Sequence, residues 1–359
     1  MPNILIYTVA SKAHGFGHLQ RMLVLAGALQ ARGCGVLFCT EHETPGLDRL
    51  RQAGANVYDF SPADWSWAYR FPGHDCCIID LESGPSREML QHVRMYFKTV
   101  VVVGGTGYGL SDPGSAQELA DLQIYQGELF EYPAGATDTA LNGPDYLIVQ
   151  PEYAGINGAF EGPIIVSMGG GDPHGLAALA VNALAGVGRE IVVINGPAAD
   201  DLEEREGIHV VHAPASLLPH LDGAALLIGA LGMTAYEAAA AGVPSILTAW
   251  SDKHIETARE LDKRGVAVCA GLWDEFVGFP LAERVNALLS DFAGWHAMHD
   301  AGKALVDGQG AARVAERIEQ RIGRTEHPAL LGVERIAVER VVDSGPAMAK
   351  PRRKKAKEN

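Results

Sequence analysis

The hydrophobic pattern of this chain switches repeatedly between short continuous apolar runs and stretches with an apolar residue every three or four positions. Asn3-Ile4-Leu5-Ile6-Tyr7-Thr8-Val9 is a run of the first kind and predicts a buried strand. Over His18–Arg32, residues Leu19, Met22, Leu23, Leu25, Ala26 and Leu29 share one side of a helix that Gly33 stops. Val36–Cys39, Asn56–Tyr58, Asp75–Asp80 and Lys98–Val103 predict further strands, with helices at Leu47–Ala53 and Ser86–Arg94. Asp80 falls at the carboxyl end of its strand. Residues 107–145 are rich in Gly, Pro and Asp and show little periodicity. They read as the end of a first sheet and a crossing, with Pro144–Val149 as a last strand.

The pattern then restarts. Gly162–Met168 predicts a strand, followed by Gly169-Gly170-Gly171-Asp172-Pro173 and a helix over His174–Ala185. Strands at Glu190–Ile194, Ile208–His212, Ala224–Ile228, Ser245–Ala249 and Val266–Cys269 alternate with helices at Leu217–Leu221, Ala235–Ala241 and Asp252–Arg264. Helices at Leu281–Leu289 and Ala311–Ile322 complete this half. The alternation predicts an α/β fold of two Rossmann-like parallel-sheet domains, 1–150 and 151–322, with 323–359 as an extension. Within the extension Ile336–Val342 alternates weakly, as an added strand or a partner contact would. Ligands of such sheets bind beyond the carboxyl ends of the strands, so two sheets with those edges facing enclose a cleft.

Several stretches fall at those edges. Gly229 and Gly232 break the apolar run Ala224–Ile228, and Thr234 can cap the helix that follows. Strand, small-residue turn and helix start make an anion site, because free N–H groups and the positive end of the helix dipole face one point. Glu237, one turn into that helix, can hold a sugar hydroxyl. Read without a ligand, the same stretch is an ordinary βαβ turn, and the residues leave both readings open. His18 lies at a helix start, where the dipole favours neutral imidazole and so a general base near neutral pH. It also fits a residue that only caps the helix. Gly170 and Gly171, ahead of Asp172, can cradle a phosphate or simply form a tight turn. Asp252, Lys253 and His254, after the strand at 245–249, can contact a sugar or phosphate or cap their own helix.

Composition narrows the class. The chain has 359 residues and is 47% hydrophobic, enough for two full cores. No apolar run reaches membrane-spanning length and the N-terminus has no signal-peptide pattern, so the expected location is the cytoplasm. Five cysteines, Cys34, Cys39, Cys76, Cys77 and Cys269, have neither disulfide-framework nor zinc spacing and read as reduced core residues. Net charge is −15, and the tail Lys350–Asn359, with six basic residues and one acid, leaves the remainder at −20. A body that acidic argues against a broad nucleic-acid footprint. The tail reads as a disordered, solubilising end or as a phosphate contact.

Taken together, Gly15-Phe16-Gly17-His18-Leu19-Gln20-Arg21, Met168-Gly169-Gly170-Gly171-Asp172 and Gly232-Met233-Thr234-Ala235-Tyr236-Glu237 with Gly242-Val243-Pro244 resemble the GT-B nucleotide-sugar enzymes. Within that class they are most similar to the nucleotide-sugar hydrolase of pseudaminic acid synthesis and the N-acetylglucosaminyltransferase that makes lipid II. The resemblance implies a donor such as a uridine diphosphate sugar, with its diphosphate against Gly232, Met233 and Thr234 and its ribose on Glu237. It places the base near His212–Leu218, further donor contacts at Asp252, Lys253 and His254, and the acceptor side at Gly15, Gly17, Arg21, Gly170, Gly171 and Asp172. It makes His18 the base for an inverting transfer to an acceptor hydroxyl, without metal or cofactor. Hydrolysis, with water as acceptor, is the alternative. Glycosylation of a hydroxylated DNA base and a non-catalytic nucleotide-sugar-binding module rank below it. Gly104-Gly105-Thr106-Gly107 stands where the hydrolase tends to have acidic residues, which separates this chain from it.

Overall fold

A computed structural model of the chain describes residues 1–10, 16–42, 45–60, 65–71, 73–81, 84–104, 118–126, 135–197 and 199–324. The first sheet comprises β1 (Asn3–Thr8), β2 (Gly35–Glu41), β3 (Val57–Phe60), β4 (Cys76–Asp80), β5 (Thr99–Val103), β6 (Leu122–Ile124), β7 (Gly135–Ala136) and β8 (Ala140–Asn142). Its order is β3-β2-β1-β4-β5-β6-β8-β7, parallel up to β8, with β7 antiparallel. β4 and β5 are buried along their whole length, as their runs of Cys, Ile and Val require. Alternate residues feed opposite faces. Ile4, Ile6, Ile78 and Val101 meet α1 (Gly17–Ala31) through Leu19, Met22, Leu25 and Leu29. Leu5, Tyr7, Ile79 and Val102 meet α3 (Arg87–Arg94) through Met89, Leu90 and Val93. Between those helices in sequence, α2 (Pro45–Gln52) follows β2.

The second sheet holds β9 (Ile164–Ser167), β10 (Ile191–Asn195), β11 (Ile208–His212), β12 (Leu226–Ala230), β13 (Ser245–Ala249) and β14 (Ala267–Leu272). All pairs are parallel, in the order β11-β10-β9-β12-β13-β14. It carries α4 (Leu176–Ala183), α5 (Leu218–Leu221), α6 (Met233–Ala240), α7 (Asp252–Lys263), α8 (Leu281–Ser290) and α9 (Phe292–Leu305). Each sheet reverses its strand order beside its first strand, between β1 and β4 and between β9 and β12. Those switch points are where a doubly wound sheet opens a crevice for ligand. The expected α/β architecture of two Rossmann-like sheets is therefore present.

Four local expectations change. Pro144–Val149 is not a strand: Pro144–Tyr146 is a single 3-10 turn after Gly143, whose φ of 104° favours glycine, and an unpaired extended stretch follows. The helix expected from His174 starts only at Leu176, because Gly175 sits in the left-handed region at φ 65°. β12 does not break at Gly229 but runs on to Ala230, and a Cβ at Gly229 would lie 2.5 Å from the Ser167 carbonyl on β9. Thr234 does not cap α6: Gly232 holds the cap position and the helix starts at Met233.

The sequence pattern also misses α9. Gly294, His296, His299 and Gly302 interrupt its apolar period. Asp291 caps it through the Gly294 N–H at 2.9 Å, and Trp295 anchors it by donating Nε1–H to the Ala225 carbonyl at 2.7 Å. The last helix, α10 (Gly310–Arg324), returns to the first sheet, where Ala311, Val314, Ala315 and Ile318 join the core under α1. Cys34, Cys39, Cys76 and Cys77 are buried free thiols, and Cys269 is a half-buried one. Among the described residues no helix is long and apolar enough to cross a membrane. Ile336–Val342 and the basic tail lie outside the described residues.

Candidate active site

The two switch points face each other across one cleft of about 1080 Å³. From the first sheet it is lined by Gly17, His18, Arg21, Arg49 and Gly104. From the second come Gly170, Gly171 and Asp172 after β9, Ala213–Leu217 after β11, Gly232–Thr234 after β12, and Tyr236, Glu237, Trp250 and His254. The lobes approach closely at their helix starts: a Cβ placed on Gly17 would lie 3.9 Å from Met233 Cγ.

His18 opens α1 after β1, and Asp80 ends β4, so register alone sets them side by side: Thr8 pairs with Asp80 across the two strands. His18 Nδ1 lies 2.6 Å from Asp80 Oδ1, while Arg21 donates Nε–H to Asp80 Oδ2 at 2.6 Å and a second N–H to Oδ1 at 2.5 Å. The same Arg21 nitrogen lies 2.8 Å from His18 Nδ1. The two contacts at Nδ1 demand opposite tautomers. A carboxylate oxygen only accepts, and at 2.6 Å a bare Nδ1 lone pair would repel it, so Nδ1 carries the proton and donates to Asp80. In the neutral ring, Nε2 is then the nitrogen with the lone pair. The His18 ring is about one-fifth exposed, whereas Asp80 is fully buried.

Burial alone would push the Asp80 pKa up, but the Arg21 charge, then His18, and the hydrogen bonds from both hold it below the ordinary carboxylate range. Gly104, at φ 122°, backs the group, and a Cβ there would lie 3.5 Å from the Arg21 guanidinium. Sequence reasoning placed Asp80 at a strand end but not in the site. The available signal was an isolated acid closing an apolar run beside β1.

Across the cleft, no side chain among the described residues caps α6, so the N–H groups of Met233 and Thr234 are left for solvent or ligand. Glu237 is buried in the same helix, and that burial pushes its pKa up to about 7. Above it, the loop after β11 carries Ala213 at φ 40°, a left-handed conformation rare for alanine and common at ligand-holding turns. Arg49 donates to the Ala215 carbonyl at 2.7 Å, tying α2 of the first lobe to that loop.

The other expected residues divide. Gly170 and Gly171 line the cleft beside Gly196, where a Cβ would run into the Gly169 and Gly170 backbone, so two loops pack there without side chains. Asp172 lines the cleft but spends both carboxylate oxygens on the Leu176 and Ala177 N–H groups, at 2.9 and 2.8 Å, as the cap of α4. His254 lines the cleft, and its N–H is received by the Ser251 hydroxyl at the start of α7. Asp252 is exposed in the first turn of α7 and does not line the cleft. Gly15 and the Lys253 side chain lie outside the described residues. Groups of three or more residues suited to holding a metal ion do not occur among the described residues.

Two Rossmann-like sheets, with switch points opposed across one cleft, define the GT-B fold of nucleotide-sugar enzymes, and this chain has that fold. Among solved structures it is similar to MurG of Acinetobacter baumannii, with TM-score 0.61, 14% identity, and coverage of 89% of this chain and 100% of that one. It is also similar to the calicheamicin glycosyltransferase CalG4, with TM-score 0.60, 16% identity, and coverage of 90% and 99%. A curated relative is the spore coat polysaccharide biosynthesis protein SpsG of Bacillus subtilis (strain 168), 26% identical over 84% of this chain and 93% of the relative. No family model matches the chain.

Proposed function

We propose that the protein is an inverting glycosyltransferase that moves a sugar from a nucleoside diphosphate donor, a uridine diphosphate sugar, to an acceptor hydroxyl. One observation supports this above all: an Asp80-held imidazole on one lobe and an uncapped helix start on the other border the same cleft. In this reading the diphosphate lies against the N–H groups of Met233 and Thr234, the ribose hydroxyls donate to Glu237, and the base lies along Ala213–Leu217. The acceptor oxygen bonds to the anomeric carbon as the bond from that carbon to the β-phosphate oxygen breaks. The acceptor proton passes to His18 Nε2, and the electron pair leaves with the nucleoside diphosphate. Asp80 holds the ring and balances the imidazolium, and the α6 amides meet the charge on the leaving group without a metal. One displacement inverts the anomeric centre.

Gly232 fits this use, since a Cβ there would meet nothing within 4 Å and leaves open space at the helix start. The similarity to SpsG and to the GT-B structures supports nucleotide-sugar chemistry in general. The test is a panel of uridine diphosphate sugars, with and without acceptor mixtures, read by nucleotide release and product mass. His18→Ala should lower turnover by about 10²–10⁴-fold and leave uridine diphosphate affinity within about twofold. A chelator should leave turnover unchanged. Undiminished turnover in His18→Ala would remove His18 from the reaction, and fast release without any acceptor would reassign the protein to hydrolysis.

A further inference from the structure

Resting on the donor site just described, we infer that Arg49, on the opposite lobe, reads the donor's nucleobase and selects bases that bear an exocyclic oxygen. Pro45, Asp48, Arg49 and Gln52 stand at positions i, i+3, i+4 and i+7 of α2 and therefore share one face of it. They all line the cleft, whereas Gly46, Leu47 and Leu50 are buried in the first lobe. Gly46 seats the helix at backbone distance: its N–H donates to the Ala10 carbonyl at 3.2 Å, and a Cβ there would lie 2.8 Å from that oxygen. The polar face of α2 is thereby fixed as a wall of the cleft. Arg49 is the residue of that face that reaches the other lobe, where its Nη2 donates to the Ala215 carbonyl at 2.7 Å.

The second-lobe wall at that end is nearly bare of polar side chains. It consists of Ile194, Gly196 and Pro197 at the end of β10 and the run Ala213–Leu217 after β11. Ser216 alone among these has a polar side chain, and its hydroxyl is engaged. It accepts the Leu218 N–H at 3.1 Å and lies 3.4 Å from the Tyr153 hydroxyl. Such a wall suits the flat face of any base but offers no further side chain to tell one base edge from another. A discriminating side chain must come from α2, and Arg49 is the one whose tip already lies on the base loop. A guanidinium carries several N–H groups in a fixed fork, and the Ala215 bond uses one of them. No other partner of Arg49 occurs among the described residues, so the rest are left for an occupant or solvent. They can only donate. Uracil answers with ring carbonyl oxygens, and a bond to them from a charged donor is shorter and stronger than a neutral one. Adenine carries an exocyclic amine instead, a donor set against a donor.

The test is calorimetric titration of uridine diphosphate and of adenosine diphosphate into the full-length wild type and Arg49→Ala. The inference expects wild type to prefer uridine diphosphate. It expects Arg49→Ala to bind that nucleotide about tenfold or more weakly, with adenosine diphosphate affinity within about twofold of wild type, so that the preference collapses. An equal loss for both nucleotides would overturn the inference alone. The Arg49 charge would then act on the diphosphate, or its bond to Ala215 on the gap between the lobes, and neither depends on the base. Unchanged affinities in Arg49→Ala, or a wild type that binds adenosine diphosphate as tightly as uridine diphosphate, would also overturn the inference alone. Wild type that binds neither nucleotide, nor the guanosine, cytidine and thymidine diphosphates, would overturn the donor-site reading itself and this inference with it.

Discussion

Asp80 is one buried carboxylate with three donor atoms on its two oxygens, and neither neighbour can hold its geometry without it. Asp80→Asn keeps the shape but supplies only one acceptor oxygen, so its amide N–H groups face Arg21 in either orientation, and His18 as well when they stand at the Oδ1 position. Turnover should fall by about 10²-fold or more while nucleotide affinity stays near wild type, measured by steady-state kinetics and titration. Stability should drop as well, by about 3–5 kcal/mol, because the Arg21 guanidinium is left buried without its counter-charge. Glu237 is the opposite case, a carboxyl whose burial raises its pKa to about 7. An unfolded glutamate titrates at about 4.3. Between those values the folded protein keeps a proton that the unfolded chain releases, so stability falls as pH rises through the window and levels off above it. Glu237→Gln has no such slope. The melting temperature of the variant relative to wild type should therefore climb between about pH 4.5 and pH 7, and a flat difference would mean the carboxyl is not held protonated.

The elements most legible in the sequence are those whose packing is local. β1 beyond Asn3, β4, β5 and β12 are buried on both faces, and their short, largely apolar runs say so. The strand–turn–helix over 224–240 was legible for the same reason, and the turn it placed at Gly232 is the cap of α6. What escaped is whatever long-range contacts decide. α9 has glycine at 302 because it crosses α6 at backbone distance: a Cβ there would sit 2.9 Å from the Ala239 carbonyl and 3.2 Å from its Cα. Asp80 is one acid among many until β1 and β4 pair, and Asp172 reads as a ligand group until α4 claims both of its oxygens. Gly302→Ala tests the crossing, because the two forces on it oppose each other. Alanine is the better helix former by about 1 kcal/mol. The fixed carbonyl of α6 forces the helices apart, at about 1–3 kcal/mol. The net change should be destabilising in chemical denaturation, whereas a more stable Gly302→Ala protein would mean that α9 does not press on α6.

Two segments join the lobes, and they run together. The chain leaves the first sheet through Leu147–Gln150 and returns through Val306–Gln309 to α10, with Gly310 against the Leu147 backbone and Arg313 donating to the Asp145 carbonyl at 3.2 Å. A paired crossing limits relative motion to rotation about one hinge. That rotation sets the gap between the His18 ring and the start of α6, and the Arg49 bond to Ala215 ties the far side. The hinge is only as firm as the anchorage of α10, and that anchorage belongs to the first lobe: Val314 and Ile318 have no exposure and lie in the core with Leu19, Met22 and Leu25. Ile318→Ala should therefore cost about 2–4 kcal/mol, the usual toll of an unfilled core site. Hydrogen exchange can locate the damage. Faster exchange should appear in α1, β5 and β6, which face α10, and not in β9 or β12 of the second sheet, although Ile318 follows those strands in sequence. Loss confined to the second sheet would mean that α10 is not seated on the first lobe and that the crossing is single. A single crossing would free the lobes to swing apart, and the imidazole and the helix start would no longer be held to one distance.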